Sequence, residues 1–446
     1  MKILMFGWEF PPHISGGLGT ACFGLTHGLV THGQSVTFVL PKVKGGSAKT
    51  HVSLIDAGSV EAPKPDAVHH TMHAWANHMK WLEVDSPLTP YLTPEAYLRE
   101  TSQFHEGNHW WTSRSGASAG KMDFTGGYGG DLLAEVLRYG LVGESLGATE
   151  SFDLIHAHDW MAALAGAGAK RSSGKPMVFH IHATEFDRCG DHGDGRIMEL
   201  ERYGLNAADK VIAVSHRTKA IVMEKYGIPG EKIEVVHNAV EKENAVDRDG
   251  IPFRFRDKIV LFLGRITMQK GPEYFVDAAK IVLDRWRADK AGWAKDGVPG
   301  VRFVMAGSGD LLPLMIDRAA KARIVERFHF TGFLRGADVD RMFATCDLYV
   351  LPSVSEPFGI TPLEAIKHDV PVILSKQSGV AEIMPHTYQM DFWDVQKMAE
   401  QIEYILRNEP VTRRQVELNK EMLDGISWDG AAAEVCAVYN SLVPAA

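Results

Sequence analysis

Asp347-Leu348-Tyr349-Val350-Leu351-Pro352-Ser353-Val354-Ser355-Glu356-Pro357-Phe358-Gly359-Ile360-Thr361-Pro362-Leu363-Glu364 is the stretch whose reading decides the fold. Its apolar run stops at Pro352 and has the length of a short buried strand. Pro362 suits a first helical position, where a missing N–H costs nothing. Thr361 is then expected as the N-cap and Glu364 as the third helical residue, a Thr-x-x-Glu capping box. The amides of Gly359, Ile360 and Thr361 would point out of that helix start, where the dipole favours an anion. Glu356, eight positions before Glu364, hangs in the loop beside it. A strand end, an anion-binding helix start and a loose carboxylate make a site rather than a turn.

The same strand-then-helix alternation runs outward from this stretch in both directions, which signals parallel α/β architecture. Strands are expected at 3–6, 35–40, 154–156, 177–181, 211–214 and 233–236, with helical segments such as 160–170 and 217–225 between them. A second series begins after a charged segment at 241–257, with strands at 259–263, 301–306, 329–331, 348–351 and 372–374. Val395, Met398, Ile402, Ile405 and Leu406 mark the apolar face of a late helix. Residues 44–130 break the rhythm and are rich in His, Trp and Gly, so a helical insertion is expected between the second and third strands. Its Trp75, Trp81, Trp110 and Trp111 could form a core or stack on sugar rings. Two doubly wound sheets facing each other would set the strand C-termini of both around one cleft.

Length and charge narrow the functions. At 446 residues the chain holds two or three domains, and 45% apolar residues are ample for full cores. A net charge of −9, with a small acidic excess in residues 1–240 as well, gives no electrostatic reason to seek nucleic acid or an anionic membrane. Cys22, Cys189, Cys346 and Cys436 lie too far apart for a disulfide framework, so a reduced, cytoplasmic setting is expected. The apolar opening 3–6 is too short for a signal peptide, and no later run reaches membrane-spanning length.

Four further segments carry chemistry. Gly16-Gly17-Leu18-Gly19 follows the first strand, where glycines let a backbone approach a phosphate or sugar, or simply make a tight strand–helix turn. It fits neither a Walker loop nor a dinucleotide fingerprint, since Cys22 stands where the latter wants Gly or Ala. In Gly264-Arg265-Ile266-Thr267-Met268-Gln269-Lys270-Gly271, a planar guanidinium and a movable ammonium could grip one diphosphate, or be two solvated cations. His156, His158 and Asp159 end one strand, and His180 and His182 share a face of the next. Their spacings match no standard zinc pattern, and a neutral strand-end histidine can instead bond a sugar hydroxyl. Asp247-Arg248-Asp249 lies in the charged segment with no strand before it and is taken as a solvated run.

These motifs, in this order and spacing, resemble the family-4 retaining glycosyltransferases of the two-domain GT-B fold. Trp8-Glu9-Phe10-Pro11-Pro12 with the Gly-Gly-Leu loop, and His156-Ala157-His158-Asp159-Trp160, draw the resemblance towards glycogen (starch) synthases of bacteria and archaea. It implies a Rossmann-like acceptor domain over 1–245 with the insertion 44–130, and a nucleotide-sugar domain over 246–425. A final helix over 426–446, entered at Trp428, would cross back to the first domain. The resemblance makes Arg265 and Lys270 the grip on the donor diphosphate, with Gly17 beside it. Glu364 would take the ribose hydroxyls, and Glu356 would sit at the transferred sugar as a catalytic residue. The amides of Gly359, Ile360 and Thr361 would touch sugar hydroxyls and phosphate. His182, the other catalytic residue, would lie near the sugar and acceptor, and Asp159 on the acceptor side. Neither a metal nor another cofactor is implied; the donor would be UDP- or ADP-glucose and the acceptor an α-glucan.

Two departures separate the chain from the classical glycogen synthases. Ile14 stands where they carry a lysine, and Glu364 is kept where many bacterial ones lack it. The expected reaction is transfer with retention through a short-lived oxocarbenium–diphosphate pair. Glu356 and Glu364 are expected to point at different ends of the donor, so no glycosyl-enzyme forms. Alternatives are transfer to a small acceptor, as in sucrose-type or mannosyl transfer, and nucleotide-sugar binding without transfer.

Overall fold

The computed structural model describes residues 1–11, 16–43, 50–61, 124–129, 132–241 and 256–443. Ile14, the four tryptophans of the expected insertion and the segment Asp247-Arg248-Asp249 lie outside the described residues. The chain divides into two compact units. One comprises 1–186, 190–238 and 428–446; the other comprises 187–189 and 239–427.

The first unit is built on a parallel sheet of seven strands: β1 (Lys2–Phe6), β2 (Ser35–Leu40), β3 (Ser53–Asp56), β4 (Leu154–His158), β5 (Met177–Ile181), β6 (Lys210–Ala213) and β7 (Ile233–Val235). Their spatial order is β3-β2-β1-β4-β5-β6-β7, so the strand order reverses between β1 and β4. Every residue of β4 and β5 is buried, as a parallel strand covered on both faces requires. The helices Leu132–Thr149 and Asp159–Ser173 pack closely because their facing surfaces are glycine and alanine; a Cβ on Gly143 would strike the backbone of Ala165. The last helix, Trp428–Leu442, lies on the first, Gly17–Thr31, with the Trp428 ring against Gly24.

Two features depart from the expected pattern. Residues 53–56, inside the stretch taken as a helical insertion, form the edge strand β3, which pairs with β2 from Thr37↔Ser53 to Leu40↔Asp56. Its four residues are mostly half-buried and carry no sustained apolar run. Farther along, Thr125 and Gly126 are anchored on the buried carboxylate of Glu135 through both backbone amides and the Thr125 hydroxyl.

The second unit carries six parallel strands: β8 (Lys258–Leu263), β9 (Val301–Ala306), β10 (Phe328–Gly332), β11 (Leu348–Leu351), β12 (Val372–Ser375) and β13 (Tyr388–Met390), ordered β10-β9-β8-β11-β12-β13. The reversal falls between β8 and β11. Phe262, Phe275, Phe303 and Phe328 fill the core on one side of this sheet. In open sheets of this kind ligands bind beyond the strand C-termini at the reversal point. The decisive stretch of sequence sits there, immediately after β11.

Candidate functional site

In the second unit the loop after β8 and the loop after β11 are bolted together. The carbonyl of Gln269 accepts from the amides of Val354 (2.9 Å) and Ser355 (3.4 Å). Gly271 has φ +61°, and a Cβ there would strike the Pro352 carbonyl, so this position demands glycine twice over. These constraints deliver Lys270 onto Glu356: the ammonium and carboxylate form an ion pair. The Ser353 hydroxyl donates to the same carboxylate oxygen at 3.1 Å. Glu356 is buried, and its backbone is fixed on both sides. Its amide donates to Gln377 O and its carbonyl accepts from the Gly379 amide, each at 2.9 Å. Arg265 reaches the side chain of Gln269 at 3.3 Å. The expected cation pair and the first glutamate therefore share one locus, and their charges are already partly paired.

The helix after this loop runs Thr361–Lys367, but not with the expected cap. Ile360 is its N-cap residue and no side chain caps it. The Thr361 hydroxyl lies 2.9 Å from the Tyr349 hydroxyl instead, and the amide of Glu364 bonds the Ile360 carbonyl at 3.2 Å. The capping box is thus overturned because a buried phenol from β11 reaches the hydroxyl that the box requires. Gly359, at φ +100°, makes the turn into the helix, with Ile360 and Thr361 following. Glu364 is half-buried. Burial first, and the negative charge of Asp340 second, push its carboxyl up to about 7, against the opposing pull of Lys367. Such a shift is expected of a carboxylate without a paired cation, not of a surface capping residue.

In the first unit the strand ends hold an array of imidazoles. β4 and β5 pair His158 with His180, which sets four histidines on one face of the sheet. His156 Nδ1 meets the Tyr439 hydroxyl at 2.6 Å, and its Nε2 meets His180 Nδ1 at 3.3 Å. His158 Nδ1 meets His182 Nε2 at 2.9 Å. Burial holds all four below the usual histidine range, with neighbouring imidazoles adding to the effect at His156, His158 and His180; His156 is pushed down to about 3. At His182 the Asp159 carboxylate opposes the fall. Asp159 takes the uncommon φ of +56°, and its carboxylate accepts from the backbone amide of His182 at 2.7 Å. Asp159 and His182, two of the expected site residues, are thereby brought together, and the strained backbone at Asp159 is typical of a functional position. Gly17 opens its helix beyond β1. A Cβ on Gly16 or Gly17 would meet nothing within 4 Å among the described residues, so packing there does not require glycine.

Several participants carry no sequence signal of their own. Gln269, Ser353 and Tyr349 become legible only once the loops after β8 and β11 are seen together, and Tyr439 lies far along the chain from His156. Tyr128 donates to the buried Glu9 carboxylate, which places the motif Trp8-Glu9-Phe10 beside the segment before Leu132. Two groups among the described residues could offer metal donors, Cys22 with His158 and His182, and His156 with His158 and His180; within each, the donor atoms lie within 4.8 Å of one another. In this arrangement both nitrogens of His156, His158 Nδ1, His180 Nδ1 and His182 Nε2 join the rings to one another and to Tyr439, while the buried His158 Nε2, His180 Nε2 and His182 Nδ1 have no hydrogen-bond partner among the described residues. No described helix is long and apolar enough to cross a membrane.

Comparison with known proteins agrees with this architecture. Residues 136–244 match the family described as Glycosyltransferase Family 4, and residues 244–422 match Glycosyl transferases group 1. An uncharacterised glycosyltransferase of Methanocaldococcus jannaschii is 27% identical, over 99% of this chain and 98% of the relative. The glycogen synthase of Mycobacterium tuberculosis is 25% identical, over 98% and 94%. Among solved structures, the sucrose-phosphate synthase of Thermosynechococcus elongatus superposes with a TM-score of 0.72 at 16% identity, covering 100% of both chains. Anabaena HepE, solved with UDP and glucose, gives 0.63 at 16% identity, covering 99% of this chain and 100% of that one. The two Rossmann-like sheets are those of the GT-B fold.

Proposed function

We propose, from the premise that this chain is a glycosyltransferase of the GT-B, family-4 type, that it transfers glucose from UDP- or ADP-glucose to the non-reducing end of an α-1,4-glucan with retention of configuration. The observation that carries the reading is the Lys270–Glu356 ion pair at the ends of β8 and β11. A largely buried ammonium beside a fixed carboxylate suits a ligand with an anionic half and a hydroxyl-rich half. The glucan acceptor is supported by the likeness to a glycogen synthase along 98% of the chain.

In this scheme Lys270 and Arg265 take the donor diphosphate, with Gly17 approaching it. The amides of Gly359, Ile360 and Thr361 take sugar hydroxyls and phosphate. Glu364 takes the ribose hydroxyls. Glu356, released from Lys270, turns to the hydroxyls of the transferred glucose. His182 and Asp159 serve the acceptor side. As the glycosidic bond breaks, negative charge grows on the diphosphate, and cations already in place lower the barrier without reorganising. The acceptor hydroxyl attacks from the face the diphosphate leaves, and its proton passes to a diphosphate oxygen. No covalent bond forms between Glu356 and the sugar. Because the chain supplies the cations itself, turnover is expected to survive a chelator.

The test is incubation with labelled UDP-glucose and ADP-glucose, each with maltooligosaccharides, glycogen or fructose. Label in lengthened α-1,4 chains supports the proposal. Release of nucleoside diphosphate with fructose alone would move the acceptor to a small molecule. Donor binding with no transfer to any acceptor would leave only a binding protein.

A further inference from the structure

Tyr349 belongs to β11 and sits opposite Leu261 of β8 and Val372 of β12. It is wholly buried, yet its hydroxyl reaches both donor-side segments: it is 3.2 Å from the Leu263 carbonyl and 2.9 Å from the Thr361 hydroxyl. One phenol has one proton, and the Leu263 carbonyl can only accept. The Thr361 hydroxyl therefore supplies the second proton, and a relay runs from Thr361 through Tyr349 to Leu263 with all three groups satisfied. Burial, first among its causes, raises the phenol's pKa far above the usual range, so the proton stays.

The relay stands where the sheet gives out. The β8–β11 ladder pairs only Val260 with Leu348 and Leu261 with Tyr349, so it stops two residues short of Leu263. Leu263 leads directly into Gly264 and Arg265, and Thr361 opens the helix that carries Glu364. We propose that Tyr349 is a positioning residue for the donor: its hydroxyl ties the arginine–lysine loop to the helix start, so that one nucleoside diphosphate can be gripped from both. The inference rests on the donor reading above and adds a residue that touches no substrate. It also explains why Thr361 departs from its expected capping role, since its hydroxyl is committed to the strut.

The experiment measures UDP and ADP affinity by calorimetry, and donor and acceptor kinetics, for the full chain and for Y349F, T361V and Y349F/T361V. Losing the relay should weaken diphosphate binding about 3- to 10-fold, the scale of one hydrogen bond. In Y349F the donor KM should rise by a similar factor, with acceptor KM and kcat at saturating donor held within about twofold. T361V should weaken diphosphate binding at least as much as Y349F, and the double variant should be no weaker than T361V. T361V carries the affinity test if Y349F does not fold. Unchanged diphosphate affinity in Y349F or T361V would overturn the strut, as would additive losses or equal rises in donor and acceptor KM. If the unaltered chain binds neither UDP nor ADP, the donor reading itself falls; if it binds and the variants bind equally well, only the strut falls.

Discussion

The two units place opposite electrostatics at the ends of similar sheets. At β4 and β5 four imidazoles are held below the usual histidine range by burial, with neighbouring rings adding to the effect at three of them. At β8 and β11 an ammonium pairs with a carboxylate beside a guanidinium, and on the helix that follows β11 the Glu364 carboxyl is pushed up to about 7. The difference follows from how each site is satisfied. Neutral rings can be buried by bonding each other, whereas formal charges need a partner or a ligand. The first site therefore depends on staying unprotonated, and the second depends on what comes to neutralise it.

The charged site should show the largest response to mutation. Lys270→Ala is expected to lower kcat/KM for the donor by ~10²–10³, the usual cost of deleting one transition-state electrostatic contact. Turnover within a few-fold of the unaltered chain would remove Lys270 from the diphosphate.

A test of the neutral site uses acid. Histidines whose folded pKa is depressed bind protons more readily when unfolded, so stability is intact above about 6.5 and is lost as pH falls below it. Glu364 works in the other direction. Its raised carboxyl keeps a proton that the unfolded chain releases, so its contribution is lost as pH rises from the ordinary carboxyl value of about 4.5 towards about 7. Hydrogen exchange at about pH 5 and about pH 7 separates them. Amides of β4 and β5 should lose protection in acid, while those of β8 and β11 should not. The reverse pattern would contradict the contrast between the units.

Tyr439→Phe removes one rung from the neutral array. The buried His156 Nδ1 loses its partner, which is expected to cost about 1–3 kcal/mol in denaturant unfolding. A midpoint unchanged by the variant would show that the Tyr439 contact adds nothing to stability. The smallest expected effect is on donor KM. Between about pH 6 and pH 8 it should fall a few-fold as Glu364 ionises and becomes an acceptor for ribose hydroxyls, and Glu364→Gln should flatten that dependence. A profile equally steep in the Gln variant would point to another group.

Much of this was open to the sequence. The buried strands β1, β8 and β11 are nearly continuous apolar runs, and β4 and β5 are apolar except for their histidines; such runs report burial directly. The short strands β3 and β13 were not legible, because Ser-Leu-Ile-Asp and Tyr-Gln-Met have too few apolar residues to outweigh their surroundings. At the site, Arg265, Lys270 and Glu356 stood out as charges next to glycines at strand ends. Their pairing did not, since Lys270 and Glu356 lie 86 positions apart. Thr361 and Glu364 gave a local pattern that the fold overrode: a capping box is a weak local preference, and the Tyr349 phenol competes for the same hydroxyl.

By itself, then, the sequence determined the alternation of strands and helices and which residue types crowd the strand ends. These are properties of period and composition, carried by near neighbours along the chain. The tertiary structure decided what each group is bonded to: Lys270 to Glu356, Thr361 to Tyr349, His156 to Tyr439 and His158 to His182. Hydrogen bonds and charges act over a few ångströms of space. Only folding brings residues distant in the chain within that range, and with it sets their protonation.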